Sequence, residues 1–133
     1  MPVERCRIYL ALLFGASFIV LTGLLGISVF KGLIYISDFI TLLMSLFAVY
    51  SAHLGMIAGA LFGPTNESRS KSLFWLAFGM ALIWILILSA RTIYFTFAAS
   101  DSVSSLSDDL VKVGGMSSVL VGGAMSYIFN KKE

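Results

Sequence analysis

From Ile8 to Phe30 the chain runs for 23 residues without a charged side chain. The hydrocarbon core of a bilayer is about 30 Å thick and takes about 20 apolar helical residues to cross. A helix on the surface of a soluble protein would interrupt such a run with charges on its wet face. Composition points the same way. Hydrophobic residues make up 59% of the 133-residue chain and charged residues 12%, against roughly 25% charged in soluble domains. So few charges cannot cover a water-soluble fold of this size, and a net charge of +2 gives no footprint for nucleic acid.

Three further stretches meet or approach the same length. Leu33 to Phe62 carries only Asp38 and His53, Leu73 to Phe97 is interrupted by Arg91, and Leu110 to Phe129 holds Lys112 among many Gly and Ser residues. These predict an all-α integral membrane protein: one domain over residues 1–133, a bundle of four transmembrane helices at approximately 8–30, 37–62, 73–97 and 110–129. The Gly-Pro turn signal at Gly63-Pro64 and the Ser/Asp-rich segment Ala99 to Asp109 read as loops. The first apolar run is too long for a signal-peptide core and no small-residue cleavage site follows it before Lys31, so it reads as a retained helix. With four spans, Arg5, Arg7, Arg69, Lys71, Lys131 and Lys132 share one side, while Lys31, Lys112 and the acidic loop lie on the other. That asymmetry predicts N and C termini together on the cytoplasmic-equivalent side. Which membrane the protein occupies does not follow.

Small residues recur every fourth position in two places: Ser51, Gly55, Gly59 and Gly63 in the second stretch, and Gly114, Ser118, Gly122 and Ser126 in the fourth. Helices in lipid gain little from hiding apolar surface and associate where small side chains let backbones approach. Both rows are therefore expected to be helix-packing interfaces, within the chain or against partners. The third stretch, rich in Leu, Ile, Phe, Trp75 and Trp84, is expected to face lipid or to be shielded by a neighbouring subunit.

Ionisable residues at membrane depth mark pairings or function, and there are three. With alternating directions, Asp38 and Arg91 fall at similar depth near the outer face, which predicts an intramembrane ion pair between them. His53 lies deeper. It is expected to be a neutral side chain hydrogen-bonded across helices, through Ser51, Ser45 or a serine of the fourth helix. The functional alternative is axial ligation of a chlorophyll or haem, since a five-coordinate pigment needs one imidazole. Cys6 is the single cysteine, so no intrachain disulfide forms. A structural zinc or iron–sulfur site, which needs several such ligands, is not expected.

The motifs G-x-S-x-G, H-E-x-x-H and the P-loop are absent, so the expected role is not enzymatic. Ample packing surface and short loops suggest an accessory or assembly subunit of a larger membrane complex, with other integral membrane subunits and the bilayer as partners. Respiratory and photosynthetic electron-transfer complexes, which carry many small helical subunits, form the candidate host class. Two alternatives belong to other classes: a cofactor-carrying subunit using His53, and a small oligomeric channel or transporter lined by Asp38 and Arg91.

Overall fold

The computed structural model describes residues 3–61, 71–98 and 102–129; within the helices, the side chains at 3, 52, 56–61, 71, 73, 116–118, 120 and 124–129 lie outside the description. The described chain folds into four helices: α1 (Val3–Phe30), α2 (Ile36–Leu61), α3 (Lys71–Ala98) and α4 (Val103–Phe129). No strand occurs among the described residues. Two helices, α1 and α3, are long and apolar enough to cross a membrane.

Local chemistry sets the ends of these helices. α1 stops at a Schellman motif. Gly32 takes φ +70, its N–H bonds Val29 O at 2.9 Å, and the Leu33 N–H bonds Ser28 O at 3.0 Å, which satisfies carbonyls the helix would leave orphaned. α2 opens with Asp38 Oδ2 accepting from the Tyr35 N–H at 3.2 Å, the reciprocal half of a capping box. α4 starts at Val103, seven residues before the expected position. Its first two turns fall in the stretch whose composition reads as a loop. Ser102 is the reason: its Oγ accepts from the Ser105 N–H at 3.2 Å and its carbonyl from the Leu106 N–H at 3.2 Å, an N-cap that lets the Ser/Asp segment wind into helix. An Asp108–Lys112 pair one turn apart, 3.6 Å, adds a little surface support.

Going round the bundle, the order is α1, α2, α4, α3. α1 packs on α2 and α3, and α4 packs on α2 and α3; α2 and α3 make no backbone contact among the described residues. Side-chain pairings give the directions. Ser17 meets Tyr50 and Phe18 meets Phe47, so α1 and α2 run antiparallel. Tyr9 meets Phe74 and Ser28 meets Thr96, so α1 and α3 run parallel. Two helical hairpins therefore lie side by side with like-directed helices adjacent. The near end of the bundle holds the starts of α1 and α3 and the finish of α4; the far end holds the α1–α2 turn and the start of α4.

α1 and α4 also touch across the other diagonal, and each of the four neighbouring pairs round the ring carries a polar link. Ser17 and Tyr50 hydroxyls share a bond of 3.1 Å across α1/α2, and Ser28 Oγ donates to Thr96 Oγ1 at 3.1 Å across α1/α3. Ser45 and Ser107 share 2.8 Å across α2/α4, and Trp84 Nε1–H donates to Gly114 O at 3.2 Å across α3/α4. Around them pack fully enclosed apolar side chains, among them Leu10, Leu21, Leu25, Leu42, Leu46, Leu106 and Leu110.

At Gly114 α4 presses directly against the Val49 side chain of α2. A Cβ built there would overlap Val49 Cγ1 and lie 3.0 Å from Cγ2, and a β-branched side chain has little rotamer freedom with which to yield. At Gly122 the nearest atom would be His53 Cε1 at 4.0 Å, an ordinary contact. Gly114→Ala is therefore expected to lower stability by about 1–3 kcal/mol and Gly122→Ala to leave it nearly unchanged, as read by denaturant titration of the detergent-solubilised protein. Equal effects at the two positions would contradict this packing.

Candidate functional site

The interior centres on four rings: Phe14 from α1, Tyr50 and His53 from α2, and Trp84 from α3. Their centroids lie 5.1 Å apart for Phe14–His53, His53–Trp84 and Tyr50–Trp84, and 5.7 Å for Phe14–Trp84. These are tilted and edge-on arrangements of the kind aromatic quadrupoles favour. The three helices reach the same point because Tyr50 and His53 are three apart on one face of α2. Trp84 bridges the bundle diagonal, and its indole proton is taken by the Gly114 carbonyl. Trp84 is 1% exposed, so it corrects the expectation that the tryptophans of the third helix face lipid or a neighbouring subunit. Trp75, 55% exposed, does face outward.

His53 is 1% exposed, and neither of its ring nitrogens has a hydrogen-bond partner. Of the serines expected to satisfy it, Ser51 and Ser45 are engaged elsewhere, and Ser117, Ser118 and Ser126 of the fourth helix lie among the side chains outside the description. Ser51 Oγ donates to Ala48 O at 2.9 Å, and Ser45 Oγ is within 3.0 Å of Thr41 O while bonding Ser107. Phe14 and Trp84 flank the imidazole instead. Gly122 of α4 faces the ring on a further side, where a Cβ built on it would lie 4.0 Å from His53 Cε1. Among the described residues no group of three or more His, Cys, Asp or Glu side chains gathers as a metal site would require.

The expected Asp38–Arg91 pair does not form. Asp38 caps α2 through the Tyr35 N–H. Arg91 Nε instead meets Asp109 Oδ2 at 2.7 Å, and Nη2 lies 3.4 Å from Ser105 Oγ. The order round the bundle is the reason: α2 and α3 stand on a diagonal, whereas α3 and α4 are neighbours. Asp109 falls in the segment whose composition reads as a loop, and the start of α4 at Val103 brings it onto a helix facing Arg91.

The two rows of small residues point in opposite senses. On α4, Gly114 and Gly122 face inward, against Val49 and His53. On α2, Ser51 and Gly55 are exposed, and a Cβ on Gly55 would meet nothing within 4 Å. Gly59, Ser118 and Ser126 lie among the side chains outside the description, and Gly63 outside the described residues. Sequence reasoning missed Trp84 as the centre of the interior. Its spacing from Ala77, Ala81 and Leu88, all buried, is the helical-face signal that marks it.

Compared with known proteins, the chain matches no family model, no curated protein and no solved structure.

A buried imidazole with two idle nitrogens is a polar group whose removal relieves a desolvation penalty of about 1–3 kcal/mol, offset by about 1 kcal/mol of lost ring contact. His53→Leu is therefore expected to be neutral or to stabilise by about 1 kcal/mol in denaturant titration. A loss of about 3 kcal/mol or more, the order seen when a buried charge loses its partner, would show that the ring serves a ligand or partner.

Proposed function

We propose that this chain is a four-pass integral membrane protein that acts, without catalysis, as an accessory or assembly subunit seated on other membrane subunits through the outer face of α2. The observation that carries this reading is the contrast between outer faces. α1 and α3 expose bulky side chains, among them Leu12, Ile19, Leu76 and Ile83, which suit lipid tails. α2 also exposes Ile36, Ile40 and Phe47, but Thr41, Ala48, Ser51 and Gly55 around Met44 follow one helical face, a small-residue seam of the kind that admits another helix.

Several features support the four passes. The helices have 26 to 28 residues each, about 39–42 Å at 1.5 Å per residue, more than the hydrocarbon thickness. On α3, Trp75 and Tyr94 lie 19 positions apart, about 28 Å along the axis, the separation of the two aromatic belts at membrane interfaces. The hydroxyls on the outer side of α2 bond back to its own carbonyls, Thr41 to Ser37 O and Ser51 to Ala48 O, and so carry no unmet donor into lipid.

Purification in a gentle detergent is expected to recover integral membrane polypeptides in fixed proportion to this chain. Gly55→Leu is expected to abolish that recovery while leaving the helical circular dichroism and denaturation midpoint unchanged, because its side chain enters open space. A chain purified alone that conducts ions or solutes in liposomes would replace this reading with the channel. A bound chromophore lost on His53→Ala would replace it with the cofactor carrier.

A further inference from the structure

We propose that the groove between α1 and α3 at the near end of the bundle seats an acyl chain of an anionic phospholipid, with Arg5 placed to hold the lipid phosphate. The proposal rests on the membrane-spanning reading above and goes beyond it by assigning a ligand class and a site.

The groove encloses about 370 Å³ and is lined by Tyr9, Leu12, Leu13, Phe74, Trp75 and Phe78, a size at the lower end of small-molecule sites. It exists because the two parallel helices are joined unequally. At the far end Ser28 and Thr96 bond directly and Thr92 is fully buried beside them, so small side chains draw the helices together. At the near end rings stand between them: Tyr9 and Phe74 are 6.3 Å apart, and Phe74, Trp75 and Phe78 form a cluster with centroids 5.4–5.8 Å apart. The wall is mostly hydrocarbon and ring face, with the Tyr9 phenol and the Trp75 indole N–H as the polar groups of its side chains.

Charge selects the occupant. Arg5, Tyr9 and Leu12 follow the i, i+4, i+7 spacing of one helical face, and Arg5 is exposed, whereas Arg7 is buried. Glu4 lies about 100° round the helix from Arg5, on the side of Ile8. Lys71 opens α3, four residues before Trp75. Arg5 thus stands one turn, about 5.4 Å, outside the aromatic mouth on α1, and the α3 wall begins at a lysine. That order of cation, aromatic rim and apolar trough matches phosphate, glycerol and acyl chain. A second copy of this chain docked groove to groove would bring like charges together, and basic residues at this level attract anionic lipids.

The test uses the full chain in phosphatidylcholine vesicles containing brominated phosphatidylcholine or brominated phosphatidylglycerol, and reads quenching of Trp75. The signal of enclosed Trp84 is subtracted with Trp75→Phe. Brominated phosphatidylglycerol is expected to associate about fivefold more strongly than brominated phosphatidylcholine, the worth of one basic residue at an anionic surface. The double variant Arg5→Gln/Lys71→Gln is expected to bring the two lipids to equality while quenching by phosphatidylcholine persists. Equal quenching in the unmodified chain, or a preference that survives the double variant, overturns the lipid site and leaves the membrane reading intact. No quenching of Trp75 by either lipid overturns both.

Discussion

Trp84 touches every other helix of the fold. From α3 it packs on Phe14 of α1 and on Tyr50 and His53 of α2, and its indole proton is held by Gly114 O of α4. α2 and α3 stand on a diagonal, so their backbones are too far apart for small side chains to join them. A large ring at the centre closes that distance. The same ring accounts for Gly114: its carbonyl receives the indole, and its missing side chain lets α4 settle against Val49. Hydrocarbon packing then completes the interior around a few fixed points.

The distribution of polar groups fits a chain with little water to call on. At least one hydrogen bond crosses each neighbouring helix pair, Arg91 adds two more across α3/α4, and other hydroxyls, such as those of Thr41, Ser51 and Thr92, return to carbonyls of their own helices. Such bonds are individually modest in membrane proteins, averaging about 0.6 kcal/mol. Their value here lies in register, because each fixes one helix against a neighbour at one level. His53, a polar ring held by packing, and Thr22, whose buried Oγ1 also lacks a partner among the described residues, are exceptions. The Arg91–Asp109 pair, partly exposed on the α3/α4 side, keeps the arginine beside the polar first turns of α4.

Much of the element structure was legible in the residues. Uncharged runs located four helices, and Gly32 and Ser37 lay close to the break between the first two. The start of α4 was not legible, because Ser, Asp and Val at 101–109 read as loop by composition, and only the Ser102 cap shows that they wind into helix. Spatial order was the larger gap. Asp38 and Arg91 share a level in any alternating four-helix chain, but whether they meet depends on which helices are neighbours. That order follows from side-chain fit at Trp84, Gly114 and Val49, which no periodicity states. The same gap left open whether the small-residue rows of α2 and α4 faced in or out; of their described members, Ser51 and Gly55 face out and Gly114 and Gly122 face in.

Labelling from the two sides of a membrane tests the central claim most directly, and a single native cysteine makes it simple. In a Cys6→Ser background, the substitutions Arg5→Cys, Ser72→Cys, Leu33→Cys and Ser104→Cys place one thiol at a time at exposed positions near the helix ends. In sealed vesicles of one orientation, a membrane-impermeant maleimide is expected to reach positions 5 and 72 from one face and positions 33 and 104 from the other. Positions 33 and 104 labelling from opposite faces, or all four labelling from the same face, would contradict a chain that crosses the bilayer four times.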